Sequence, residues 1–315
     1  AFAPARQLNL GWNRITDKGA QLLAHSPGMS GVEQLFLDSN WIASKGAQAI
    51  ANSKNLQALD VLEMHDNDFG RAEEQLLMDL RIRALIKKCL SKDGSILNLN
   101  GCHLENKGMS ALARAQLPAT VRALSLRINH FDHRGIQALA QSPHLENISA
   151  LNLMDNAIGN KGALILAEST TFPSLTNLNL EQTGMTWVGV LALAHSKTLR
   201  QLQDLNLGNN RIEDKGARIL AVSETFKNLS RLCLWNTLTG DKTLRAIAQS
   251  KYLIQLKELR LNGNTIGTAG LQIMADSPNL TPLKTLDLRR NRIDEQGLLF
   301  ITQSSKLQAL EEFRF

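Results

Sequence analysis

Side chains that do covalent or metal chemistry leave recognisable spacings, and this chain offers few of them. Its three cysteines, Cys89, Cys102 and Cys233, form no CxxC pair and leave an odd thiol under any pairing. That fits a reducing compartment or a protein indifferent to redox, and supports neither a zinc site nor a disulfide framework. The histidines are scattered: His25 and His195 fall at expected helix ends, and His103 and His130 follow expected turns. No GxSxG, HExxH or phosphate-loop sequence is present. The expectation is a protein with no catalytic residues, no metal and no cofactor. What remains are side chains suited to recognition, four tryptophans among 35 basic and 29 acidic residues. Their meaning depends on the elements that hold them.

Those elements repeat. Leu8-Asn9-Leu10-Gly11-Trp12-Asn13-Arg14-Ile15 matches Leu205-Asn206-Leu207-Gly208-Asn209-Asn210-Arg211-Ile212 and Leu286-Asp287-Leu288-Arg289-Arg290-Asn291-Arg292-Ile293 as LxLxxNxI. The first leucine, or its equivalent, recurs at Leu8, Leu35, Leu62, Leu97, Leu124, Leu151, Leu178, Leu205, Leu232, Leu259, Leu286 and Phe313. Every step is 27 residues except Leu62 to Leu97, which is 35. A period of this size with this signature is that of a leucine-rich repeat. Alternate residues of a strand face opposite sides, so both leucines of LxL point into a core and the residues around them point out.

An asparagine column, replaced at Cys102, Thr183 and Thr237, sits where the chain leaves each strand. It is expected to bond backbone groups of adjacent coils, with Cys102 as a member of that ladder. The second half of each unit reads KGAxxLA, as in Lys18-Gly19-Ala20 with Leu23-Ala24 and Lys161-Gly162-Ala163 with Leu166-Ala167. Ala, Leu and Ala at i, i+3 and i+4 mark one face of a helix, and a serine such as Ser26, Ser53, Ser142 or Ser196 closes it. One strand and one helix per unit give an α/β, right-handed solenoid, a single domain over residues 1–315. Twelve parallel strands would form one concave sheet on the order of 55 Å long, with the wider helices outside bending the stack into a horseshoe.

Composition agrees with this reading: 43% apolar residues and one tyrosine suit a core of Leu, Ile and Ala. The net charge of +6 is too mild to imply nucleic acid by itself. No apolar run is long enough to span a membrane and the start lacks a signal-peptide layout, so a cytoplasmic location is expected.

The pattern resembles the ribonuclease-inhibitor-like class of leucine-rich repeats, and the Gly-Ala and Leu-Ala phrase of Gly162-Ala163 with Leu166-Ala167 resembles the GALA-type repeats of secreted bacterial effectors. The resemblance covers nearly the whole chain, although the 27-residue period is longer than the GALA unit and no F-box-like segment accompanies it. It implies a macromolecule-binding scaffold, and an effector's targeting domain, secreted into a host cell, with a host protein as partner. The same scaffold is associated with inhibitors, GTPase activators, innate sensors and ubiquitin-ligase substrate receptors.

Two irregularities stand out. Phe2 already fills the apolar slot six residues before Leu8 with no polar capping helix ahead of it, so a capping region N-terminal to this sequence is expected. The third unit carries eight extra residues, and Arg71 to Leu90 reads as one long helix. Leu76, Leu77, Leu80, Leu85 and Ile86 form its apolar side, and Arg81, Arg83, Lys87 and Lys88 a solvated basic face. The sharper reading of that face is a second docking site on the convex side.

With the leucines inward, the concave surface can be written down. Its N-terminal end carries Trp12, Phe36, Asp38, Glu63, His65 and Asp66, with Trp41 at the rim. Its C-terminal end carries Arg231, Trp235, Arg260, Arg289, Arg290 and Arg314, and the middle is blander, with Asn152, Asn179, Asn206 and Gly208. Trp and Arg dominate interface hot spots, and a tryptophan has no evident packing reason to face solvent from a sheet. Arg289 and Arg290 are expected to stack on Trp235 and grip a carboxylate, which would make this the principal contact. Arg260, Asp287 and Arg314 share a column, so part of the basic end also reads as a cross-strand charge ladder.

The leading expectation is a non-catalytic module that binds another protein on its concave face. RNA or phosphoinositide binding through the basic end, with Trp235 as stacking platform, is the alternative, opposed by the interleaved Glu258, Asp287 and Glu312. A GTPase-activating or ubiquitin-ligase receptor role is a third.

Overall fold

The structure, a computed structural model, describes residues 5–315; Phe2 and the slot it fills lie outside them. Each LxL segment forms a three-residue strand: β1 (Gln7–Asn9), β2 (Gln34–Phe36), β3 (Val61–Glu63), β4 (Ile96–Asn98), β5 (Ala123–Ser125), β6 (Ala150–Asn152), β7 (Asn177–Asn179), β8 (Asp204–Asn206), β9 (Arg231–Cys233), β10 (Glu258–Arg260), β11 (Thr285–Asp287) and β12 (Glu312–Arg314). All pairings are parallel and put like positions side by side, Leu8 beside Leu35 and Leu62, and Leu97 beside Leu124 and onward to Leu286 beside Phe313. Both leucines of the motif are buried in β2 and in β4 to β11, as at Leu205 and Leu207, where the residue between them faces out, while Leu8, Leu10 and Leu62 are half-buried.

A helix follows every strand but the last. The first four are α1 (Asp17–His25), α2 (Ser44–Ala51), α3 (Arg71–Cys89) and α4 (Glu105–Arg114). The KGA glycine lets successive helices close up. A Cβ at Gly46 would stand 2.6 Å from Asp17 Oδ1 and 2.9 Å from its Cα. In its absence Asp17 Oδ1 accepts from the main-chain amides of Ala43 (2.9 Å) and Gly46 (2.7 Å).

Two side-chain ladders tie coil to coil. Asn210 Nδ2 donates to Leu180 O of the previous repeat (2.7 Å) and to Leu207 O of its own (3.1 Å), while Oδ1 accepts from Met185 N (2.9 Å). The threonines keep the local half of this function: Thr237 Oγ1 donates to Leu234 O at 2.6 Å. The serines do more than close helices. Ser142, Ser196, Ser223 and Ser277 each donate to an alanine carbonyl at the end of the preceding helix, at 2.7 Å. A buried carbonyl left unmatched costs about 1–3 kcal/mol, so both columns follow from stacking.

The expected single sheet of twelve strands is instead two, β1 to β3 and β4 to β12. The buried core divides at the same place. The cause is the long third unit. After α3 the chain folds back along β4, with Leu90 bridging Leu97 in antiparallel sense and Ser91 N donating to Ile96 O at 2.8 Å. That edge of β4 is the one β3 would need. Helix α3 serves both sides, with Leu77, Leu80 and Ala84 in the first core and Ile82 and Leu85 in the second.

The basic residues of α3 are not a uniformly solvated face. Arg81 reaches across the break, donating from Nε to Asp60 O (2.7 Å) and from Nη2 to Cys102 O (2.5 Å). Arg83 Nη2 donates to Ala51 O at 3.0 Å, and Lys88 pairs with Asp60 and, at 3.8 Å, with Glu33. Cys102 is likewise not a rung between coils. Its Sγ reaches Asn100 O of its own repeat, at 3.8 Å, and, among the described residues, no main-chain group of the preceding coil, which lies beyond the break.

Candidate binding face

The residues on the concave side lie where LxL alternation puts them, and the two ends differ in how much is already engaged. At the C-terminal end Arg231 bridges Asp204 (2.9 Å) and Glu258 (2.7 Å) across three strands. Partial burial works against its charge, and the two carboxylates outweigh that and raise its pKa. Arg260 Nε lies 2.6 Å from Glu258, Arg314 pairs with Glu312, and Arg289 grips Asp287 with Nε at 3.0 Å and Nη2 at 2.6 Å. Asp287 is only 2% exposed. Burial alone would raise its pKa, but the Arg289 bonds bring it below the ordinary carboxylate range. Of the five arginines on this face, Arg290 alone makes no ion pair among the described residues.

Trp235 has the packing reason that its sequence context does not show. It is half-buried, and a Cβ on Gly208 in the preceding repeat would fall 2.2 Å from its Nε1. The indole is therefore laid flat over that glycine. Among the described residues no cation stacks on it; Arg289 is turned to Asp287 instead. Gly11 and Asp38 repeat the arrangement at the other end, Asp38 Oδ1 lying 2.6 Å from where a Gly11 Cβ would be.

The N-terminal end is less engaged. Trp12 is 82% exposed and Trp41 60%, with the Arg14 guanidinium 5.6 Å from the Trp41 ring centre. Phe36 stands half-buried between Asn9 and Glu63 on adjacent strands. Asp38, Glu63 and Asp66 have one cationic partner among them in the described residues, His65, whose Nδ1 lies 3.0 Å from Asp66 Oδ2. The Asp66 bond raises the His65 pKa, burial opposes it, and the charges of Asp66, Asp38 and Glu63 add to the rise.

The backbone gives this rim a feature that was not read from the sequence. The fourth residue after the first leucine is left-handed in every repeat that has it, including Trp12 (φ 57°), Asp66 (54°), Ile128 (55°) and Arg290 (59°). Gly, Asn and Asp, which hold several of these positions, tolerate that conformation, whereas a bulky side chain there is strained. The small residues were the available signal.

Between the ends, β5 to β10 line a shallow groove of about 280 Å³. Its asparagines are partly occupied with their own turns: Asn152, Asn179 and Asn206 accept from the amide two residues on, at 3.1, 3.0 and 3.0 Å. One thiol, Cys233, lines this groove. Cys233 is buried on the concave side, and burial pushes it up to about 12. Cys89 and Cys102 are neighbours at the break, where the interaction of the two thiols lowers Cys89 and raises Cys102. Among the described residues no three His, Cys, Asp or Glu side chains converge as a metal site, and no helix is long and apolar enough to cross a membrane.

Comparison with known proteins agrees with the repeat. The family described as leucine-rich repeat matches residues 6–24, 95–113, 144–167, 198–221, 255–275 and 279–301. Among solved structures, the chain is similar to an internalin from Listeria monocytogenes at 18% identity, covering 98% of this chain and 86% of that one, with a TM-score of 0.43. It is also similar to internalin C2 from the same organism at 21% identity, covering 76% and 84%, with a TM-score of 0.49. A comparison with curated protein sequences finds no match.

Proposed function

The chain is a leucine-rich-repeat protein, and from that premise we propose that it is a non-catalytic module that binds another protein on its concave face, anchored at the N-terminal end. One observation carries the choice of end: Trp12 and Trp41 stand largely in solvent beside carboxylates with almost no cationic partner. A large aromatic held in water gains about 25 cal/mol for each Å² it buries on binding, and tryptophan is among the residues most enriched in hot spots. Four of the five arginines at the other end must give up an existing pair before they can serve a ligand. A phosphate backbone needs a run of free cations, and the paired ladder does not offer one.

The partner is a protein with an apolar patch flanked by basic residues. A targeting role for a secreted effector is the finer form of this reading and rests on the GALA-type resemblance. Photo-crosslinking tests the face: a reactive side chain at position 36 or 209 should capture the partner, and one at position 161 or 218, on the outer helices, should not. Capture only from the outer positions would overturn the concave reading.

A further inference from the structure

The break in the sheet strands two main-chain donors that the other repeats use. In ten repeats the amide of the second LxL leucine donates to the next strand, as Leu37 N does to Glu63 O (2.7 Å) and Leu126 N to Asn152 O (2.8 Å). Two residues on a second amide does the same, as Ser39 N to His65 O (2.9 Å) and Gly101 N to Arg127 O (2.9 Å). The equivalent groups of the third repeat, Met64 N–H and Asp66 N–H, have no acceptor among the described residues. The strand that would supply them, β4, is covered by Leu90 and Ser91.

Beside this edge runs a groove of about 230 Å³ between β3 and α3, walled by Leu62, Met64, Phe69, Leu77 and Met78. Asp60 O is already taken by Arg81 Nε at 2.7 Å, which closes one end of the slot. Glu63 and Asp66 stand exposed at its mouth.

We propose that this edge takes an extended segment of a partner protein, added as a strand beside β3. Two donors two residues apart on one edge match the repeat of an extended main chain, whose carbonyls would accept from Met64 N–H and Asp66 N–H. One set of alternate side chains is apolar and enters the groove; the other is basic and meets Glu63 and Asp66. A second copy of this chain fits less well, because pairing β3 with β3 sets the same carboxylates against each other. The proposal rests on the backbone of one repeat and stands apart from the tryptophan anchors, so Trp12→Ala weakens the concave partner without affecting this slot.

The test uses the full chain and a panel of octapeptides that alternate Lys or Arg with Val, Leu or Phe. Residue-resolved hydrogen exchange should show the Met64 and Asp66 amides slowed about tenfold or more at saturation, with the already paired Leu126 and Ile128 amides unchanged. Glu63→Lys should weaken the same peptide about tenfold. Methylating the peptide nitrogens on the pairing edge should abolish binding, and methylating the opposite ones should not. The proposal is overturned if no peptide of the panel binds, if binding leaves both amides unprotected, or if the two methylated series bind equally. Protection that appears without peptide and grows with protein concentration would replace the partner segment with a second copy of the chain.

Discussion

At the C-terminal end of the concave face Asp204, Glu258, Asp287 and Glu312 each have an arginine against them, whereas at the N-terminal end Asp38, Glu63 and Asp66 share one histidine. The tryptophans differ in the same sense, Trp235 bedded on Gly208 and Trp12 standing in solvent. Residue type alone makes the arginine-rich end look like the sticky one. Pairing reverses the order, because a cross-strand ion pair worth about 0–1 kcal/mol must be exchanged for whatever a ligand offers, while an unpaired group exchanges only water. Each end also belongs to a different block, one on each side of the break.

The largest expected effect tests whether the blocks are separate. Leu205 is fully buried in the core of the nine-strand block, and Leu205→Asp places an unpaired carboxylate there at a cost of several kcal/mol. Amide protection across β4 to β12 should fall at lower denaturant while Leu35 and Leu37 keep theirs. Simultaneous loss in both blocks would mean that α3 couples them into one unit. Asn206→Asp, one residue away on the concave side, keeps the acceptor for Gly208 N but sets a carboxylate where Nδ2 now meets Glu181 Oε2 at 2.9 Å. Its cost should be about 1 kcal/mol or less.

Next in size is the difference between the tryptophans. Trp12→Ala should weaken the principal partner by about 2 kcal/mol or more, as a hot spot does, with little change in melting temperature. Trp235→Ala should do the opposite, uncovering Gly208 and costing stability with a smaller loss of affinity. Titration calorimetry together with thermal melts separates the two, and a larger affinity loss at Trp235 would move the anchor to the arginine-rich end.

Smaller again is the effect of the ladder itself. Arg289→Ala leaves Asp287 nearly buried without its main partner and should cost about 1 kcal/mol at neutral pH. The sign with pH follows from the lowered pKa of Asp287. A depressed carboxylate contributes stability above its unfolded pKa of about 3.9 and loses it as pH falls through the native value. The gap between wild type and variant should therefore narrow in acid. A gap that stays constant from about pH 7 to about pH 3 would show that the pair contributes nothing to stability.

Much of this architecture was legible because the repeat is written in side chains. The leucine, asparagine and KGA columns each have a period, and strand register follows from them. The break was not legible, since the extra eight residues of the third unit show only that something is longer. Which edge Leu90 and Ser91 would cover depends on how α3 leaves the stack, and α3 feeds two cores at once, so its apolar residues follow no single stripe. The candidate face was legible as a list of positions but not as a set of available groups. Arg231 and Asp204 are 27 residues apart, and Trp235 lies on a glycine 27 positions before it. Reading those contacts requires asking what the same position holds in the next coil.

The smallest effect is the pH response of the acidic end. The bond to Asp66 raises the His65 pKa above its ordinary value, so a larger share of the ring is cationic near neutrality than for an unperturbed histidine. A protonated His65 offsets one of the charges of Asp38, Glu63 and Asp66, and its proton leaves as pH rises through that raised value. The end then becomes more negative, and a basic partner should bind more tightly, by a factor of about 2–3 between about pH 6 and about pH 8 at low salt. His65→Gln should flatten the profile. Arginines do not titrate there, so a partner held mainly by the C-terminal ladder would show no such slope from this face. Tighter binding at the lower pH, abolished by the same substitution, would mean that the partner presents an anion to His65, and the charge assigned to it would have to be reversed.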